Sequence, residues 1–194
     1  MTWFENAYAE LMPVEGGYAD QPADRGGETY RGISRVHHPE WRGWAIIDEA
    51  KSRCVADFPR CLDQDPFLQS QVRGFYLREY WEKMRCDELG SYVVARRVFD
   101  MAVNQGRKTT RRNLQEALNI LGRPGWYEPL ALDGIFGPRS MSALVIFLVR
   151  EPRPRAERIL ERLLALYQGR IYIEILRSDV TQRQFARGWV ERTV

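Results

Sequence analysis

The sequence predicts a mainly α-helical protein carrying one small β-hairpin arm near residues 18–35. Three observations lead there. Apolar residues recur every three to four positions through most of the chain. Helix-start signals stand in front of several of these runs, at Thr2, Asp65-Pro66 and Ser91. No strand-like alternation of any length occurs, and only Glu28-Thr29-Tyr30, set between glycine turns, suits a short hairpin arm.

The elements follow in order. Thr2 with Glu5 forms a capping-box pattern, and Trp3, Phe4, Ala7, Tyr8 and Leu11 continue at helical spacing. Pro13 should end this helix, which leaves Glu15 at or just past its C-terminus. Trp41 to about Ala56 has weaker helical character. Asp65-Pro66 reads as an N-cap with proline at the first helical position, opening a helix through Phe75 and Tyr80 to about Arg85. Ser91 caps the next, with Val94, Val98 and Met101 on one face and Gly106 as its stop. Thr110 to Leu121 is another, and Pro138 opens one that contains Leu144 and Leu148. Pro152-Arg153-Pro154 is a break. Ala156 to about Leu176 is the longest periodic segment, with Ile159, Leu163, Leu166, Ile173 and Leu176 as its expected core stripe and Gly169 as a point of close packing. Thr181 with Gln184 suggests a last capping box before Phe185 and Trp189.

Composition bounds the function. The 194 residues are 44% hydrophobic and include six Trp, nine Tyr and eight Phe, enough for a packed core and unlike a disordered chain. No run of about 18 apolar residues is present, so membrane insertion is not expected. MTWFENAYAEL has no basic cluster ahead of an apolar core and does not read as a secretory signal. Cys54, Cys61 and Cys86 suit reduced, partly buried thiols. His37-His38 lacks ligand-spaced partners, no phosphate-cradling glycine motif occurs, and neither metal nor other cofactor is implied. The net charge of +3 is uneven: residues 1–100 carry 13 basic and 17 acidic side chains, residues 101–194 carry 16 and 9. The positive half suits an anionic polymer or merely solvated helix faces.

Chemistry concentrates between Glu15 and Ser34, EGGYADQPADRGGETYRGIS, dense in glycine, acids and tyrosine. A carboxylate beside a glycine turn at a helix exit is rigidly held yet faces open space, as an acid catalyst requires. Glu15-Gly16-Gly17-Tyr18, Asp24, Gly26-Gly27, Thr29 and Gly32-Ile33 together resemble the signature of the glycoside hydrolase family 108 N-acetylmuramidases. The order Glu15, Asp24, Thr29 is also similar to the catalytic trio of phage-type lysozymes, whose spacing is longer by one residue. The resemblance implies a lysozyme-like helical fold and a general acid at Glu15. It implies that Asp24 stabilises positive charge or places a water, and that Thr29 holds the attacking water. Asp20 is the competing second acid, with a spacing that fits less well. An acid that protonates a leaving oxygen at neutral pH needs apolar surroundings, and Trp3, Tyr8 and Tyr18 are near Glu15 in sequence to supply them. Sugar contacts are expected from Tyr18, Tyr30, Trp81 and Asn104, whereas Tyr76 is expected in the core.

In the second half, LQEALNILG followed by LDGIFGPRSMSAL resembles peptidoglycan-binding modules in which two helices flank an Asp-Gly-Ile-Phe-Gly turn. Asp133-Gly134 would make the turn, Ile135 and Phe136 would tuck inward, and Gly137-Pro138 would start the second helix. The expected organisation is a lysozyme-like catalytic region over 1–105 and a helical peptidoglycan-binding region over 106–194 packed on it. The expected activity is hydrolysis of the β-1,4 bond between N-acetylmuramic acid and N-acetylglucosamine. The analogy leans to inversion by water; lytic transglycosylation and a non-catalytic wall-binding role stay open. Peptidoglycan glycan strands are the expected partner, with no nucleic acid and a monomeric chain. Synthesis in the cytoplasm without a signal peptide would require a holin or another export route to the wall.

Overall fold

The computed structural model describes residues 1–20 and 27–193. The chain divides into two compact units, Met1–Glu79 and Tyr80–Val194. Most described residues are helical, and the described strands form a single three-stranded antiparallel sheet in the order β1-β2-β3.

The first unit opens with α1 (Trp3–Leu11), whose N-cap Thr2 accepts from the Glu5 amide. Only half of the expected capping box forms. The Glu5 carboxylate turns away to Arg73, which holds it below its ordinary pKa through a hydrogen bond. β1 (Tyr18–Ala19) pairs with β2 (Thr29–Tyr30), which pairs with β3 (Ile33–Ser34), so the expected hairpin has a third strand. β2 and β3 are joined by Arg31-Gly32, both at positive φ (45° and 73°), the two-residue reversal whose twist matches that of the strands. α2 (Gly43–Arg53) and α3 (Pro66–Tyr76) follow. Asp65 caps α3 as expected, accepting from the Phe67 and Leu68 amides at 3.0 and 2.9 Å. The core of this unit is aromatic. Trp41 packs edge-on against Trp44, and the Trp41 ring lies so close over Gly43 that a Cβ there would fall 2.2 Å from it.

Beyond Tyr76 the helix does not run on regularly to Arg85. Leu77–Glu82 form a π-helical segment, a local widening that apolar spacing does not announce.

In the second unit α4 (Tyr92–Gln105) is capped by Ser91 and buries Val94, Val98, Phe99 and Met101. Gly106, at φ 84°, ends α4 and begins α5 (Arg107–Leu121) at once, so α5 starts three residues earlier than its apolar pattern suggested. α6 (Pro138–Arg150), α7 (Arg153–Ser178) and α8 (Ala186–Glu191) complete the unit. Pro152 does break the chain, but Arg153 and Pro154 already belong to the first turn of α7, where proline is tolerated.

The buried face of α7 is not the predicted stripe. Leu160, Leu164, Tyr167, Gln168 and Tyr172 face inward, whereas Leu166 and Ile173 are 70% and 50% exposed. The reason is a buried polar network that the apolar pattern could not show. Arg97, 3% exposed, pairs with Glu161, donates to Gln168 Oε1 at 3.1 Å and to the Arg192 carbonyl at 2.9 Å. Gln168 donates to Asp100 and Tyr172, and Asp100 also accepts from Arg192. Satisfying these groups rotates Gln168 into the core. Gly169 meets only an ordinary contact, with Thr193 Cγ2 3.8 Å from where its Cβ would be. Near the C-terminus Asp179, not Thr181, does the capping: it accepts from the Thr181 amide at 2.9 Å.

No helix among the described residues is long and apolar enough to cross a membrane.

Candidate active site

Glu15 leaves α1 through a turn in which Val14 donates to the Leu11 carbonyl, and its side chain is half-buried. The ladder of the small sheet reaches back toward it, because the Arg31 amide donates to the Gly17 carbonyl at 3.1 Å. That bond brings the Arg31-Gly32 reversal over the Glu15 side chain. Glu15 Oε2 lies 2.7 Å from the point where a Gly32 Cβ would stand, and the Tyr76 hydroxyl lies 2.9 Å from the same point. Tyr76 is 1% exposed and donates to the Arg31 carbonyl at 2.7 Å, so its hydroxyl pins the reversal. The Tyr8 ring meets Tyr76 edge-on at 5.9 Å, and burial pushes the Tyr8 hydroxyl pKa up to about 12. Glu15 is therefore seated between a tight turn and a buried phenol layer.

The rest of the arm is fixed by charge. Glu28, next to Thr29, pairs with Arg35 at 2.7 Å and Lys51 at 2.8 Å and accepts from Tyr18 at 3.1 Å. Arg35 spans to both Asp48 oxygens at 2.8 and 2.6 Å. Burial alone would raise the Glu28 pKa, but hydrogen bonds from Lys51, Arg35 and Tyr18 outweigh it and hold the carboxyl below its ordinary range. A depressed carboxyl stabilises the fold above its unfolded pKa and loses that contribution as pH falls through the folded value. Glu28→Gln is thus expected to cost about 1–3 kcal/mol at neutral pH. Its gap to wild type should close in melts taken below about pH 4. A gap unchanged down to strong acid would show that charge does not hold the arm.

The predicted site residues separate clearly. Glu15, Tyr18 and Thr29 share one small region, Thr29 standing opposite Ala19 and Ser34 in the sheet. Asp24 lies outside the described residues. Asp20 is exposed, 3.5 Å from the Tyr18 hydroxyl. Tyr30 is a correction: it is 1% exposed, and its hydroxyl is taken up by Asp63 and Gln69, so it supports the arm from beneath rather than meeting a sugar. Trp81 is a second correction, fully buried edge-on against Phe99 at 5.4 Å. Large aromatics are as much core as platform, and sequence spacing does not separate the two. Asn104 is exposed on the last turn of α4 and donates to the Asp100 carbonyl at 2.8 Å. Gly32 was legible only as part of the signature; what makes it necessary is the seat it gives Glu15.

The second unit holds a further built feature. Gln115, 2% exposed, donates to Asp133 Oδ1, the Ile135 carbonyl and Ser140 Oγ, and accepts from the Gly134 amide at 3.0 Å. Asp133 closes its own turn on the Ile135 amide at 2.8 Å, and Gly134 sits at φ 74°. Phe136 tucks inward as expected. Ile135 does not, being 68% exposed on the rim of a cavity of about 790 Å³ lined also by Tyr127, Pro129 and Arg139. Gln115→Ala strands the Gly134 amide and is expected to cost about 1–3 kcal/mol in thermal melts of the full chain, where an unchanged melting temperature would show the turn to be self-supporting.

With this geometry in view, the comparisons decide the family. The model of glycosyl hydrolase 108 matches residues 8–106. The chain belongs to glycosyl hydrolase family 108. A second model, described as a predicted peptidoglycan domain, matches residues 109–194. A family 108 enzyme with that domain is a glycoside hydrolase acting on peptidoglycan. The fold is similar to that of a solved structure of Brucella abortus SagA, with TM-score 0.57 and 21% identity over 98% of this chain and 88% of that one. This likeness bears out the mainly α, lysozyme-like architecture. No protein of curated function shows significant similarity to the chain.

Proposed function

We propose that this family 108 enzyme hydrolyses the β-1,4 bond between N-acetylmuramic acid and N-acetylglucosamine, with Glu15 as the general acid. The observation that carries the reading is the seating of Glu15. Its carboxylate rests against Gly32 beside the Tyr76 hydroxyl, at the end of α1 and half-buried. A carboxyl group so held has a fixed direction, and fixed geometry is what proton delivery to a leaving oxygen demands. Thr29 is assigned to the attacking water and Asp24 to charge stabilisation or water placement, both from the order of residues in the arm. With a water between the carboxyls the product would be inverted, which requires their separation to be about 6.5–9.5 Å. Residues 106–194 are assigned to holding the wall while residues 1–105 cut it.

The deciding measurement is mass spectrometry of muropeptides released from purified sacculi. Hydrolysis gives reducing N-acetylmuramic acid ends. Ends in 1,6-anhydro form would replace the hydrolase by a lytic transglycosylase, and reducing N-acetylglucosamine ends would move the cleaved bond.

A further inference from the structure

We infer that Cys54 and Cys61 are an oxidisable pair that exchanges with a small disulfide and closes into a staple beneath the three-stranded arm. The inference stands apart from the muramidase reading and does not require it.

All three cysteines are free thiols, but their surroundings differ. Cys86 is fully buried, and burial pushes its thiol well above the ordinary value, the setting of an inert cysteine. Cys54 and Cys61 are both partly exposed, within reach of a small reagent. Cys54 is the C-cap of α2, its amide tied to the Ala50 carbonyl at 2.8 Å. Cys61 lies in a 3-10 segment, Arg60–Gln64. The chain between them folds back on itself. The Asp57 and Phe58 amides both donate to the Cys54 carbonyl, at 2.9 and 2.8 Å, and the Cys61 amide donates to the Asp57 carbonyl at 3.2 Å. The side chains meet across this fold, where the Cys61 thiol is hydrogen-bonded to that of Cys54. Two sulfurs in such contact have the approach that a disulfide demands.

The contact also divides the labour of the exchange. The hydrogen bond to Cys54 keeps the Cys61 thiol protonated up to about 11, so Cys61 is the partner that holds its proton while Cys54 attacks. The Arg53 guanidinium is hydrogen-bonded to the Cys54 sulfur and stands where the charge of the attacking thiolate develops. Cys54 Sγ displaces one sulfur of the small disulfide, which leaves as a thiol, and a mixed disulfide remains on Cys54. Cys61 then gives up its proton and attacks Cys54 Sγ, and the second small thiol departs. The protein dithiol is oxidised, the small disulfide is reduced to two thiols, and the two protein protons end on those thiols.

The place of the pair gives the bond its effect. Phe58, inside the loop that would be closed, meets the Tyr18 ring of β1 edge-on at 4.8 Å. Asp63, two residues beyond Cys61, accepts from Arg31 at 2.7 Å and from the Tyr30 hydroxyl at 3.3 Å. The segment from 54 to 64 is thus a brace for the strands and for the Arg31-Gly32 reversal. A cross-link restricts the unfolded chain and leaves these contacts in place.

The test exposes the folded, full chain to oxidised glutathione, then denatures it and alkylates the remaining thiols. The reduced chain should take up three alkyl groups, one for each cysteine. The treated chain should take up one, on Cys86, and lose about 2 Da as the two thiols become a disulfide. Trypsin cuts after Arg53 and Arg60, so the bond should appear as CVADFPR linked to the peptide that begins CLDQD. The melting temperature should rise by about 5 °C or more on oxidation and return on reduction. Cys54→Ser and Cys61→Ser, checked for folding by circular dichroism, should gain nothing from the same treatment. Glutathione adducts without the 54–61 link, a link to Cys86, or a rise in melting temperature that persists in either serine variant would each overturn the assignment. An oxidised chain that melts no higher than the reduced one would overturn the staple. None of these readouts uses lysis, so a chain that fails to cleave sacculi as proposed leaves the outcome for the pair unchanged.

Discussion

Glu15→Gln should lower the rate of sacculus clearing by about three orders of magnitude or more, within the range that general acid catalysis contributes. The circular dichroism spectrum and melting temperature should be unchanged. The amide has the same shape as the carboxyl group and can occupy the same seat against Gly32 and beside the Tyr76 hydroxyl. It has no proton to give to the departing sugar oxygen, so binding survives and bond cleavage does not. Glu15→Asp is a sharper companion. It keeps the proton but withdraws it by one methylene from the turn, and a displacement of that size costs about 100-fold when reacting groups must be aligned. If Glu15→Gln cleared sacculi at the wild-type rate, the acid would have to be sought elsewhere, Asp20 and Asp24 being the next carboxyls in the arm. Loss of activity together with loss of folded signal would instead mark Glu15 as a structural residue.

What the sequence could and could not reveal about this site follows from the physics of each residue. Helix starts were readable where a local signal suffices: Asp65 with Pro66, and Ser91, cap their helices with their own side chains. The carboxylate at the helix exit was readable because Pro13 and Gly16-Gly17 bracket it within a few residues. Long-range arrangements were not. Nothing near Tyr30 in the sequence announces that Asp63 and Gln69 take its hydroxyl. Nor does anything near Trp81 announce that Phe99 covers it. The inward face of α7 was missed for the same reason, since Arg97, some 70 residues upstream, draws Gln168 into the core. An apolar stripe predicts burial only when no buried polar group competes for the same face. Gln115 was likewise invisible: a glutamine amid LQEAL looks like solvent-facing filler until the Asp133 turn is folded against it. Propensity and spacing see the chain locally, and hydrogen-bond partners supplied from afar lie beyond them.

Gly32→Ala should lower lytic activity about 100-fold while costing only about 1–2 kcal/mol of stability, and the disproportion is the point of the experiment. Two effects act at this position. At φ 73° an alanine is strained by about 1 kcal/mol, a cost borne by the turn. Its Cβ would also stand 2.7 Å from Glu15 Oε2 and 2.9 Å from the Tyr76 hydroxyl, closer than real Cβ contacts come. Tyr76 is buried and tied to the Arg31 carbonyl, so it has little room to yield. The Glu15 carboxylate is the far end of a flexible side chain, and it is the group expected to move. Stability is then only mildly reduced while the carboxyl loses its direction. Melting temperature and initial lysis rate measured on the same preparation separate the two effects, and an activity loss no larger than the fraction unfolded would remove Gly32 from the positioning of the acid. Tyr76→Phe gives the complementary case. It removes the hydroxyl but leaves the glycine, so Glu15 gains space rather than losing it, and the Arg31 carbonyl loses its donor. Here the expected change is a looser turn with a smaller activity loss, about 10-fold or less, because no atom is forced into the place of the carboxylate. A larger loss from Tyr76→Phe than from Gly32→Ala would mean that the phenol, and not the turn, directs the acid.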